Sequence, residues 1–518
     1  MMRGYRTLKQ AGETDLIFQV NQALTEKHLN LENKYFSRFM MGRGFNLSEV
    51  IVKQYLLFRI GGRALNSVLL RSKGKKNGKI VYPLPKKWRE IISEHGFNID
   101  HFRSAILWQC YILSLFLFGI WKIFEILFFS VFSVFFKSCN TSKYIYLANL
   151  NATNLITDQD GAKNYNILAW YLQWPNKVSK FKEIRHSALN VPNRNIGDIK
   201  LLYQKNILPD IPRLIPLAKY LICSLTTIFI SLIDLMRGRW WHSLLLNQIA
   251  LAKKVNALTP NLLSSEYLFH NSSWIYRPLW TYEAEHLGSI ITFYFYSTNI
   301  QPFKQKSKAS PINAYGYKIM SWSRYLVWDS YQAAYIKKIV GPKKIEIVGP
   351  IWFDSSATFS NIKKLKKVIL IFDVQPMRNS IYMQLGLDSE YYTIQTSSKF
   401  LTDICQSFPA DSFELLFKRK RKVGSNAHPS YRRLVRRLEI MQNLKLIDEN
   451  IAAISLIEYA DIVISMPFTS TALIARHIGK PTIFYDSTSQ LIKGDPAAHG
   501  IEIISGDLEL KSWASNNI

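Results

Sequence analysis

The stretch EYADIVISMPFTSTALIARHIGKPTIFYD, residues 458–486, decides how the rest of the chain is read. A short apolar strand, ADIVISM, meets a tight turn at Pro467 and Phe468. Three adjacent hydroxyls, Thr469, Ser470 and Thr471, then open a helix that stops at Gly479, and Pro481 leads into a second apolar strand. Strand, helix and strand at this spacing form the repeating unit of a parallel sheet covered on both faces. The strand delivers the chain to a helix N-terminus, where unpaired backbone N–H groups and the helix dipole favour an anion. One hydroxyl suffices to cap such a helix, so this turn has side chains to spare for phosphate oxygens.

Outward from this block, the same alternation runs back to about residue 288: SIITFYFYST, YLVWDSYQAAYIKKIVG, KIEIVG, KKVILIFDV, FELLFKRKR and NLKLID carry strands, separated by amphipathic helical stretches. VGPIWFDSSATFSNIKKLKK (348–367) reads as a polar linker after which VILIFD starts a new sheet. KYIYLANLNATNLI (143–156) starts the earlier one. The fold class expected is α/β, with two Rossmann-like domains of parallel strands at 138–349 and 367–518. Residues 1–103 read as an N-terminal α/β region in which Pro85 opens a helix ending near Gly96.

Two apolar runs interrupt this pattern. Residues 104–137 contain SAILWQCYILSLFLFGIWKIFEILFFSVFSVFFK, long enough to cross a bilayer but carrying Lys122 and Glu125, which share a helical face. Charges in such a run are costly in lipid, and basic residues flank both its ends, which points to a re-entrant hairpin or a helix lying in the interface, with a buried pair of core helices as the alternative. LAKYLICSLTTIFISLIDLM (217–236) is an apolar insertion in the first domain, with Arg237, Arg239, Trp240 and Trp241 following it as interfacial residues do.

The 518 residues carry 66 Lys and Arg against 37 Asp and Glu, a net charge of +29 that draws a protein toward anionic partners. Cys110, Cys139, Cys223 and Cys405 show neither a zinc pattern nor a disulfide framework, and the N-terminus reads as no secretion signal. The body of the protein is expected on the cytoplasmic face of a membrane. No Walker-type glycine loop is present, which disfavours an ATPase or kinase.

A second block, KRKRKVGSNAHPSYRRLVRR (418–437), places His428 before Pro429, which suits the first turn of a helix and keeps the preceding residue out of the helical region. An imidazole there can donate to, or protonate, a departing phosphate. The arginines that follow read as a solvated helix face.

MPFTSTALIA, with the upstream HP and the terminal GKPTIFYD, resembles the bacterial polysaccharide biosynthesis proteins named for their PFTS motif. More distantly it is similar to the GT-B-type sialyl- and Kdo-transferases that use CMP-activated sugars. The wider resemblance implies a GT-B-like pair of domains, with His428, Pro429, Ser470 and Thr471 contacting the nucleotide and its phosphate. Pro467, Phe468 and Thr469 complete the expected phosphate-binding turn. It also implies a nucleotide-sugar donor, a lipid-linked oligosaccharide acceptor and an inner-membrane location, with no nucleic acid as partner.

An inverting transferase needs a base for the acceptor hydroxyl. In the CMP-sugar group this often comes from an acidic pair followed by glycine. TDQDGAKNY offers Asp158 or Asp160, with Gln159 breaking the pair. Glu283, Glu285 and His286 in RPLWTYEAEHLG compete, as does Asp373 in VILIFDVQPMR at the end of a strand. No DxD cluster is visible, so no metal and no cofactor are expected. Three other readings compete: a nucleotide-sugar epimerase of the same fold, a membrane scaffold of a polysaccharide assembly complex, and a nucleic-acid-binding protein, which would leave the PFTS turn unexplained.

Overall fold

The computed structural model describes residues 1–29, 31, 49–136, 143–150, 155, 167–173, 181–270, 276–298, 300–307, 315–351, 364–387, 391–419, 424, 426–440, 444–448, 451 and 453–517. The chain divides into two compact units. One comprises Met1–Leu150, Ser179–Tyr294 and Tyr315–Tyr325; the other comprises Asn151–Val178, Phe295–Ala314 and Leu326–Ile518.

The first sheet contains β1 (Tyr144–Leu147), β2 (Glu183–His186), β3 (Arg194–Ile196), β4 (Ile199–Tyr203), β5 (Glu266–His270), β6 (Ile290–Tyr294), β7 (Arg324–Val327) and β8 (Lys344–Ile347). Their order is β3-β4-β2-β1-β5-β6-β7-β8. The chain enters at the central β1, builds outward through β2 and β4 in parallel, turns back antiparallel at the β3 edge, and then crosses to β5 and β6, parallel on the other side of β1. All four residues of β1 are buried, as expected of a strand covered on both faces.

The second sheet holds β9 (Lys367–Phe372), β10 (Phe413–Lys418), β11 (Leu444–Ile447), β12 (Ile462–Ser465), β13 (Thr482–Asp486) and β14 (Ile503–Ser505), in the order β11-β10-β9-β12-β13-β14. Every neighbouring pair is parallel. Numbered from β9, this is the doubly wound order 3-2-1-4-5-6. Its core is built from Ile369, Ile371, Leu415, Phe417 and Ile464 of the strands and Phe400, Tyr431 and Leu434 of the covering helices. The protein is thus α/β with two parallel Rossmann-like sheets, as its strand and helix spacing implies.

Two expectations are corrected. Residues 1–103, read as α/β, form helices among the described residues: Met2–Gln10, Leu16–Glu26, Glu49–Arg59, Gly62–Lys73 and Lys86–Glu94, with one isolated bridge between Ile80 and Ile99. Residues 51–56 are all buried, Lys53 and Gln54 included, so the helix there is enclosed over more than a full turn rather than along one face. Pro85 does sit at the N-cap of the last of these helices.

The apolar run is no hairpin either: His101–Phe136 is one uninterrupted 36-residue helix. Lys122 and Glu125 form an ion pair of 2.9 Å, so neither charge is lone. The one glycine in the run, Gly119, does not break the helix. It lets the helix close on a neighbour, since a Cβ there would lie 2.6 Å from the Leu246 side chain.

The second apolar helix, Leu214–Met236, is inside out. Its small and polar residues face inward, with Ser224 1% and Asp234 2% exposed, while Ile222 and Phe229 are 65% and 63% exposed. A helix on a protein surrounded by water turns the opposite face outward. The long helix repeats the pattern, burying Ser130 and Ser133 while Trp121, Phe124, Phe128 and Phe132 point outward. Both helices are long and apolar enough to cross a membrane. Each packs one face on the buried helix Trp241–Ala257.

Candidate functional site

In the second sheet the topological switch point lies between β9 and β12, and in open α/β sheets ligands bind outside the carboxyl ends of the strands at that point. The segment leaving β9, Phe372–Met377, ties the two sides of this edge together. The Met466 N–H donates to the Phe372 carbonyl at 2.8 Å, the His428 N–H donates to the Pro376 carbonyl at 2.8 Å, and Met377 bridges to Ala427. The PFTS turn and the HP pair, some forty residues apart in sequence, are therefore both hydrogen-bonded to one short strand extension.

Within the PFTS turn the residues divide by exposure. Pro467 and Phe468 are buried, and Phe468 stacks on Phe303 with ring centroids 4.8 Å apart. Their side chains anchor the turn. Thr469, Ser470 and Thr471 are half-buried and reach the edge. Thr469 is the N-cap residue of the helix Ser470–His477, yet its side chain makes no capping hydrogen bond. The Thr471 hydroxyl donates to Thr469 Oγ1 at 3.0 Å and lies 3.2 Å from Ser465 Oγ, while Ser470 Oγ accepts from the Thr298 N–H at 3.3 Å. The hydroxyls form a linked row at a helix N-terminus whose backbone donors they leave open. Thr469→Ala is accordingly expected to change stability by less than about 0.5 kcal/mol, against about 1 kcal/mol for loss of a working cap. Urea unfolding of the two proteins checks it; a loss of a full cap's worth would show that Thr469 caps in solution.

His428 is the N-cap of the helix Pro429–Glu439, and its Nδ1 accepts from the Ser430 N–H at 3.3 Å. That bond places the proton of the neutral ring on Nε2, the nitrogen left to donate elsewhere. Arg432, Arg433, Arg436 and Arg437 form the exposed face of the same helix, while Tyr431, Leu434, Val435 and Leu438 are buried beneath.

Asp373, the first residue beyond β9, is 2% exposed and accepts a hydrogen bond from the Tyr431 hydroxyl, one turn along from His428. Its Oδ1 has no hydrogen-bond partner. Burial pushes the carboxyl up to about 6, and the Tyr431 bond and the charge of Arg419 offset only part of that push.

A family model described as "Polysaccharide biosynthesis PFTS motif protein" matches residues 223–514, more than half of the chain. The chain belongs to this family. No curated protein matches it in sequence. Among solved structures it is similar to the wall teichoic acid polymerase TagF with CDPG, at 11% identity and TM-score 0.38, covering 79% of this chain and 88% of that one. It is also similar to the glycotransferase of kitacinnamycin, at 11% identity and TM-score 0.37, covering 72% and 90%. A trehalose-6-phosphate structure from E. coli bound with UDP-2-fluoro glucose gives 10% identity and TM-score 0.38, covering 73% and 92%.

The remaining candidate bases belong to the first unit or lie outside the described residues, as Asp158 and Asp160 do. Glu283 and Glu285 sit on the short helix Trp280–His286, which leaves the carboxyl edge after β5 and runs back to the start of β6. Glu285 pairs with Arg277 at 2.6 Å, and Arg277 is held further by Thr281 and by the Ser321 carbonyl. Glu283 is buried, and His286 is exposed at the helix end. Of the carboxylates named from the sequence, Asp373 is the one the second sheet brings to its carboxyl edge. Sequence reading missed Thr298 and Phe303, which meet the PFTS turn from more than 160 residues away; no local pattern marks them. Among the described residues no group of three or more His, Cys, Asp or Glu is placed to hold a metal ion.

Proposed function

We propose that this protein is a glycosyltransferase of surface-polysaccharide assembly, moving a sugar from a nucleotide donor to a lipid-linked acceptor. A CMP-activated acidic sugar is the favoured donor, and transfer proceeds with inversion and without a metal ion. The observation that carries this reading is the row of hydroxyls at an uncapped helix N-terminus on the switch point of a 3-2-1-4-5-6 sheet. Such a site holds a phosphate by backbone N–H groups, the helix dipole and hydroxyl donors together. His428 Nε2–H donates a hydrogen bond to the departing nucleotide phosphate, and one of the carboxylates named above serves as base for the acceptor hydroxyl.

The inside-out helices support a membrane seat. Their outward apolar faces lie in the lipid while the inward faces rest on the body of the protein, which stays on the cytoplasmic side. The net charge of +29 favours an anionic lipid surface and an acidic acceptor.

Melting temperature measured with CMP, UDP and GDP tests the proposal, since a ligand at about 100 times its dissociation constant adds roughly 2.7 kcal/mol. Stabilisation by CMP alone supports the reading whole. Stabilisation by UDP or GDP keeps the transferase and overturns the donor. No response to any nucleotide overturns the transferase in favour of a non-enzymatic scaffold.

A further inference from the structure

The first unit has a cavity of its own, about 250 Å³ in volume, at the carboxyl edge of β1, β2 and β4. Its floor is Asn149 beyond β1 and Ser187 beyond β2, and one wall is the long apolar helix, through Lys122 and Glu125. Lys254 reaches in from the helix Trp241–Ala257, and Lys205 and Asp210 come from the chain beyond β4. Lys254 is 4% exposed and is held by Asp210 at 3.2 Å and by the Leu208 carbonyl at 3.4 Å. Three lysines thus face two carboxylates, leaving one positive charge in excess; Lys254 is buried, Lys122 partly buried and Lys205 exposed, so an anion here meets a desolvated cation alongside two that water still reaches.

The placement of the wall narrows the ligand. Lys122 and Glu125 point into the cavity, while Trp121, Phe124 and Phe128, their neighbours on the same helix, are exposed large apolar side chains. One helix therefore separates a charged cavity from a surface suited to lipid, with less than a helix diameter, about 10 Å, between them. This also accounts for the charged pair in the apolar run, which would otherwise be a costly intrusion.

We propose that this cavity binds the phosphate of a lipid-anchored acceptor, with Lys122, Lys205 and Lys254 meeting the phosphate and the long helix guiding the acyl or prenyl chain into the membrane. The word acceptor rests on the transferase reading; the phosphate-lipid site does not.

Co-flotation of the full chain with phosphatidylcholine vesicles, with and without ten mole per cent phosphatidic acid, provides the test. Phosphatidic acid is expected to tighten binding of the wild type. Lys122→Met combined with Lys205→Ala is expected to remove at least tenfold of that gain while leaving binding to plain phosphatidylcholine unchanged. Glu125→Gln, which deletes a negative charge from the cavity, is expected to tighten it. These variants leave the buried Lys254–Asp210 pair intact, and a melting curve for each confirms the fold. A gain from phosphatidic acid that is equal in all variants overturns the site. Competition by millimolar inorganic phosphate as effective as that of phosphatidic acid itself overturns the lipid source and leaves a soluble phosphate as ligand. The nucleotide melting shifts read on the same preparations separate the two proposals: a nucleotide response without a phosphatidic acid response sinks only the cavity, and the reverse sinks only the transferase.

Discussion

His428→Ala is expected to lower kcat by about 10²- to 10³-fold, the range lost with one hydrogen-bond donor aimed at developing charge. The expectation follows from the tautomer: with Nδ1 accepting from the Ser430 N–H, the donor left over is Nε2–H, at the edge where the PFTS hydroxyls also lie. The same hydrogen bond gives His428 a second role as helix cap, so alanine alone confounds two effects, the cap being worth about 1 kcal/mol of stability. His428→Asn separates them. Asparagine caps a helix well, but its shorter side chain places no donor where Nε2 stands. If donation from Nε2 is the task, the asparagine variant melts like the wild type and turns over as slowly as the alanine one. Recovery of turnover to within a few-fold of wild type in His428→Asn would reduce the residue to a cap.

Asp373→Asn is expected to stabilise the protein at neutral pH, by up to about 3 kcal/mol, a scale set by the gap between a carboxyl held at about 6 and its ordinary 3.8. Below about pH 4 the carboxyl is protonated in both the folded and the unfolded chain and costs nothing. Between about 4 and 6 the unfolded chain ionises first, so stability falls as the pH rises, and above about 6 the full cost is present. Asparagine removes that slope, and its side-chain oxygen still accepts from the Tyr431 hydroxyl. Urea unfolding at pH 5 and pH 7.5 measures it: the wild type should lose ground to the variant as the pH rises, and parallel behaviour would contradict the burial argument. Activity read alongside decides the role of the group. A stable but inactive variant makes Asp373 part of the chemistry, whereas a stable and active one makes it a fixed support for Tyr431 and the HP helix.

Five of the six strands of the second sheet, all but β14, were legible because their signals are local. VILIF, ELLF, DIVIS and TIFYD are short continuous apolar runs, which is what strands buried on both faces require, and the helices between them carry their own start signals at Pro429 and Ser470. In the first sheet β5 escaped notice because EYLFH begins and ends with polar residues. All five are buried, and Arg324 of β7 and Thr292 of β6 reach Glu266 there, at 3.1 and 2.6 Å. That pairing spans 58 residues, and no window of sequence contains it.

The sequence by itself determined the strand and helix alternation, the apolar length of the two helices and the chemical character of the PFTS and HP turns, because each depends on the order of neighbouring side chains. Only the tertiary structure decided which hydroxyls cap and which stay open, that Pro467 and Phe468 are buried anchors, and that Asp373 lies under Tyr431. It alone turned the polar faces of the apolar helices inward and placed Lys122 and Glu125 on a cavity with Lys205, Asp210 and Lys254. Burial and hydrogen bonding between distant segments are set by how elements pack, and a residue's chemistry follows from the neighbours that packing gives it.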